Sequence, residues 1–239
     1  MTDRKAQLAA NLAQVEERIA SSCAAAGRKR EEVTLIVVTK TYLASDVRIL
    51  HELGVRHVAE NRDQDAAPKA TACADLSLTW HFVGQLQTNK VRSVTSYADV
   101  VQSVDRAKLV TALSAAAVRG ERELGCLIQV ALDAESGERG ERGGVAPDGV
   151  EELAAAIDAA PGLRLDGLMT VAPLAGEYAG RQRAAFDRLM EISSRLRAGH
   201  PAANMVSAGM SGDLEDAVAA GATHVRVGTA VLGVRPRLG

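Results

Sequence analysis

Eight short runs rich in valine and other β-formers succeed one another along this chain, each followed by a segment of helical periodicity. Strict alternation of this kind demands a parallel sheet, because parallel neighbours are joined through long crossovers, usually helices. The runs fall at 33–39, 55–60, 78–84, 98–104, 124–132, 161–170, 203–209 and 223–228. The first, VTLIVVTK, is almost continuously apolar, as expected of a strand covered on both faces. Eight units in 239 residues fit a single (β/α)8 barrel domain over 1–239, with a doubly wound open sheet as the alternative. An extra helix precedes the first strand, marked by Leu8, Leu12, Val15 and Ile19 before Gly27. Later helix starts are expected at the capping residues Ser45, Asp105 and Asp148. The segment 62–75 reads as a helix weakened by Pro68.

Composition removes several function classes. With 47% hydrophobic residues, 24% charged and a formal charge of -2, nothing points to nucleic acid or a membrane. Cys23, Cys73 and Cys126 have neither disulfide-framework nor zinc spacing. The first twenty residues carry scattered charges and no apolar signal core, so a cytoplasmic protein is expected. Arginine outnumbers lysine 22 to 6, which makes each lysine slightly more interesting as an amine.

In a barrel of this type the chemistry gathers at the C-terminal ends of the strands. There the sequence places Lys40, Asn61, Gly84, Ser103, Asp133, Thr170, Ser207, Arg226 and Gly228. Lys40 is either a solvent-pointing strand end or a Schiff-base amine held on rigid backbone. After the seventh run, SAGMSGD carries small residues into a helix start, and VRVGTA does the same after the eighth. Backbone N–H groups in such loops favour an anion, and this is the usual phosphate position of the fold. Ser211 is either part of that site or a helix cap. Arg226 alternates with Val225 and Val227, so it faces the barrel interior if those two face outward. His81 reads as a structural histidine, and the glycine-rich tract 133–144 as a polar loop.

Taken together, VVTKTY around Lys40, AEN at 59–61, WHFVGQLQTNK at 80–90, GLMTVAP at 167–173, SAGMSGDLEDA at 207–217 and VRVGTAVLG at 225–233 resemble the pyridoxal 5'-phosphate homeostasis proteins. Those proteins are similar to the N-terminal domain of alanine racemase. The resemblance implies pyridoxal 5'-phosphate (PLP) as cofactor, held as a Schiff base on Lys40 with Asn61 beside it. It also implies that Ser207, Gly228 and Thr229 hold the phosphate and that Arg226 faces the pyridine nitrogen. An arginine there accepts no proton, so the ring is a weak electron sink and broad transaminase chemistry is disfavoured. Implied partners are PLP itself, PLP-dependent apo-enzymes and amino acids, with a monomer or weak dimer as the assembly. The loop 133–144 lacks a lysine common among relatives, leaving Ser136, Gly137 and Arg142 without an assigned role. After the eighth strand no β-domain of the kind that gives alanine racemase its second base is expected. Three functions follow: a PLP carrier, an amino-acid racemase with Tyr42 or His81 as second base, or an aldolase-type lysine without cofactor.

Overall fold

The structure is a computed structural model that describes residues 2–133, 143–174 and 176–233. Its strands are β1 (Thr34–Val38), β2 (His57–Glu60), β3 (Thr79–Phe82), β4 (Val100–Val104), β5 (Leu124–Gln129), β6 (Leu163–Met169), β7 (Met205–Ser207) and β8 (His224–Val227). Neighbours pair in chain order, all parallel, and β8 returns to β1 with Arg226 opposite Ile36. The sheet is therefore a closed barrel and not an open doubly wound sheet. Around it run α1 (Thr2–Ala25), α2 (Ala44–Glu52), α3 (Asp63–Ala72), α4 (Val91–Tyr97), α5 (Ala107–Arg119), α6 (Val150–Asp158), α7 (Gln182–Gly199), α8 (Leu214–Ala220) and α9 (Thr229–Leu232). No helix among the described residues is long and apolar enough to cross a membrane.

Alternation along each strand sorts side chains into two layers. Outward residues such as Val37, Val58, Trp80, Val225 and Val227 pack against the helices. Leu8, Leu12, Val15, Ile19 and Cys23 of α1 join that layer. Each of these aliphatic chains, once buried, contributes roughly 1.5–3 kcal/mol, so α1 is a firm part of the wall. The inward layer is mixed. Val100, Leu127 and Met169 form a small apolar cluster, while His81, Gln102, Ser207 and Arg226 are buried polar residues.

The strands lie where the sequence places them, each shorter than its apolar run. Helix starts differ by one or two residues. Leu43 caps α2, leaving Ser45 inside the first turn. Arg106 caps α5, with Asp105 paired to it at 2.5 Å. Asp148 lies in a 3-10 turn at Pro147–Gly149 ahead of α6. Helix ends fray over one or two residues, so these offsets leave each helix where the sequence places it. Pro68 sits inside α3, on the exposed side of the helix.

Candidate functional site

At the C-terminal mouth of the barrel a cavity of about 420 Å³ is lined by Val38, Lys40, Asn61, Gly84, Met169, Ser211, Arg226, Gly228 and Thr229, among others. Its size suits a small ligand. Of the residues expected there, Lys40, Asn61, Arg226, Gly228 and Thr229 are brought together. Ser207 is not among the lining residues. Its hydroxyl accepts from Arg226 Nη1 at 2.6 Å and donates to Gln102 Oε1 at 2.7 Å, fully buried beneath the cavity. Ser211 takes the place at the wall. Asp213, not Ser211, caps α8, and its Oδ1 accepts the Met210 N–H at 2.6 Å. Ser136, Gly137 and Arg142 lie outside the described residues.

Lys40 is positioned by a turn, not by the strand itself. Tyr42 N–H donates to Thr39 O at 3.1 Å, and Thr41 has φ +69° while Lys40 has no positive φ. That combination is a type II turn with Lys40 at its second position. The third position normally takes glycine, and a β-branched residue there is strained by about 1–3 kcal/mol. The strain persists because a buried pair grips the turn. Lys69 Nζ of α3 donates to Thr39 O at 2.8 Å and to Glu60 Oε1 at 2.5 Å. Thr39 Oγ1 donates to the same Glu60 oxygen at 2.6 Å. Glu60 is completely buried and its Oε2 has no hydrogen-bond partner. Burial raises its carboxyl pKa, and the bonds from Lys69 and Thr39 oppose that rise. Lys40 itself is exposed at the rim.

Arg226 forms the floor. It is 4% exposed, and burial pulls its guanidinium down to about 10, still protonated at neutral pH. Nη1 reaches Ser207, Nη2 donates to Thr170 O at 2.8 Å, and the guanidinium carries five N–H donors in all. Among the described residues no carboxylate is within ion-pair distance of it, although the Asp213 charge acts on it from further off and opposes the drop. A buried cation in that condition calls for an acceptor in the cavity.

Below Arg226 the hydrogen bonds run down the barrel axis. Gln102 Nε2, which can only donate, meets His81 Nδ1 at 2.9 Å. Neutral His81 therefore carries its proton on Nε2 and donates to His57 Nδ1 at 3.1 Å. Burial lowers the pKa of His57, takes His81 well below the usual histidine range and brings His224 to about 4. These histidines thus favour the fold when neutral, a contribution present above about 6.5 and lost as pH falls through about 4. The urea midpoint should decline over that window, and His224→Gln should flatten the decline. An unchanged slope in the variant would remove His224 from the account.

Two further residues answer the racemase expectation. Tyr42 donates its hydroxyl to Gly233 O at 2.6 Å, and His81 is 1% exposed below the floor. Neither lines the cavity. Among the described lining residues only Lys40 and Arg226 carry ionisable side chains. The Glu60–Lys69 pair was not foreseen from the sequence, though a glutamate two residues after Val58, on the strand face that packs against the helices, was its signal.

The alanine racemase N-terminal domain family matches residues 6–236. A pyridoxal phosphate homeostasis protein of Mycobacterium bovis is 42% identical, covering 98% of this chain and 95% of its own length. The chain belongs to the pyridoxal phosphate homeostasis protein family. Another member, from Escherichia coli K12, is 36% identical over 95% of this chain and 97% of its own. Among solved structures, PipY of Synechococcus elongatus with PLP bound aligns at TM-score 0.80 and 31% identity, covering 95% of this chain and all of PipY. An alanine racemase of Clostridium difficile shares the fold at TM-score 0.70 and 16% identity, with 58% of its length covered. The barrel of this homeostasis-family member is thus the alanine racemase N-terminal fold.

Proposed function

We propose that this protein binds PLP in the mouth cavity, holds it reversibly as a Schiff base on Lys40 and serves intracellular PLP homeostasis. The observation that carries this reading is the convergence of one exposed lysine, one buried guanidinium and two small-residue loops on a single cavity. The residues present fit the group. Arg226 offers a hydrogen bond to a neutral ring nitrogen, Val38, Val83, Met169 and Val171 supply apolar walls, and Asn61 is a polar neighbour of Lys40. Ser211, Gly212, Gly228 and Thr229 present backbone N–H groups and two hydroxyls to a phosphate. Gly209, at φ +88°, lets that loop fold over α8, where a Cβ would come within 2.5 Å of Ala217 Cβ.

When bound, PLP supplies an electrophilic aldehyde and an electron-withdrawing ring. Lys40 contributes the amine that the aldehyde captures, and the Thr39–Tyr42 turn fixes where that amine starts. Arg226 keeps the ring nitrogen unprotonated, since it has no proton acceptor of its own. With Lys40 and the protonated Arg226 as the only ionisable side chains among the described lining residues, the cavity is suited to holding a cofactor more than to moving protons on a substrate. As a carrier in the cytoplasm, the protein would exchange PLP with apo-enzymes or amino acids as a monomer or weak dimer.

The test is an absorption spectrum after incubation with PLP, before and after borohydride, beside Lys40→Ala. Wild type should show an imine band that reduction fixes to the peptide bearing Lys40, and the variant should show neither. The same band and adduct in the variant would defeat the assignment.

A further inference from the structure

Three polar side chains of α1 end on backbone carbonyls behind the small-residue loops. Arg4 Nη2 donates to Leu232 O at 3.2 Å, Asn11 Nδ2 to Val231 O at 2.9 Å, and Arg18 Nη2 to Ser211 O at 2.9 Å. Positions 4, 11 and 18 are seven apart, so they form one stripe along the helix. The outer two are themselves braced. Arg18 pairs with both oxygens of Glu215 at 2.7 and 3.0 Å. Arg4 pairs with Asp46 at 2.9 Å and lies over the Tyr42 ring.

The carbonyls they hold belong to the cavity wall. Val231 and Leu232 close α9, whose first residue, Thr229, lines the cavity. A helix of four residues has little stability of its own, so its carbonyls need outside donors. Ser211 O shares a peptide unit with the N–H of Gly212, another lining residue. Since the unit is trans, drawing the carbonyl toward α1 turns that N–H the opposite way, toward the cavity. A charged donor on the carbonyl also polarises the peptide and strengthens the N–H as a donor.

We propose that Arg18 is a positioning residue for the phosphate of the ligand, acting through the Ser211–Gly212 peptide from outside the cavity. The consequence is selectivity: Arg18 favours phosphorylated over unphosphorylated pyridoxal without touching either. This rests on the PLP reading above.

The experiment titrates wild type, Arg18→Met and Arg18→Lys with PLP and with pyridoxal, following the imine band, and records thermal unfolding of each. Arg18→Met is expected to weaken PLP roughly tenfold, the equivalent of one charged hydrogen bond, and to leave pyridoxal unchanged. Arg18→Lys keeps one donor for Ser211 O and should recover part of the loss. Inorganic phosphate should compete with PLP less well in Arg18→Met than in wild type. Equal weakening of both ligands, or of neither, overturns the proposal. If Arg18→Met does not fold, the PLP-to-pyridoxal ratio in Arg18→Lys decides, an unchanged ratio counting against Arg18. Wild type that forms no band with PLP would instead sink the parent reading.

Discussion

Lys69→Met should be about 3–5 kcal/mol less stable than wild type at neutral pH, because it strands Glu60 as a buried charge without its partner. For a chain of this size that is a fall of roughly 6–20 °C in Tm. The aliphatic stem is kept, so lost packing does not explain the effect. Glu60 has zero exposure, one oxygen shared by Lys69 and Thr39, and the other with no partner. The pH dependence separates this cause from others. Burial already raises the Glu60 pKa in wild type, and removing Lys69 removes the strongest opposing bond, so it rises further. A carboxyl whose folded pKa is raised contributes stability below its unfolded pKa, near 4.5, and loses it as pH climbs through the folded value. The deficit of the variant should therefore shrink as the solution is acidified. Adding Glu60→Gln should restore much of the loss at neutral pH, since an amide without its ammonium costs less than a carboxylate. Urea melts of both variants across pH check this. A deficit independent of pH, or a double variant no better than the single, would mean that the buried charge is not the cause. Lys69 also holds Thr39 O, so under the proposed reading Lys69→Met should weaken PLP retention as well.

Gly84→Ala is expected to damage the cavity more than its size suggests. A Cβ at that position would lie 2.0 Å from Asn61 O and 2.7 Å from Asn61 C. The obstacle is backbone at the end of the neighbouring strand, which has no rotamer to move out of the way. The cost should therefore exceed the ~1–3 kcal/mol of ordinary overpacking. Whatever relaxation occurs must displace Asn61 or the β3 exit, and both border Lys40 in the cavity. PLP affinity should fall at least tenfold, together with a drop of several degrees in Tm. Titration and thermal melts measure the two effects, and normal affinity with normal Tm would show that the approach of the two strands is looser than described.

The sequence by itself determined the succession of strands and helices, because burial on both faces writes itself as apolar runs and crossovers as helical periods. It also placed Lys40, Asn61, Arg226, Gly228 and Thr229 at one rim, since strand ends in a parallel barrel share a rim by topology. The alternation of Arg226 with Val225 and Val227 was enough to suggest an inward guanidinium, and the structure buries it there. What the sequence left open depends on contacts between distant elements. Ser207 and Ser211 are equivalent as small hydroxyl residues near a strand end; only the positions of Gln102 and Arg226 assign one to the buried network and the other to the wall. Nothing local in the sequence ties Lys69 to Glu60; only the placing of α3 over β2 brings the two together. Arg4, Asn11 and Arg18 find their targets 228, 220 and 193 residues away in sequence, which no local pattern reveals. Local preference fixes which segments are strands and helices. Which side chains serve the site is decided by a closed ring that brings the first helix against the last two loops.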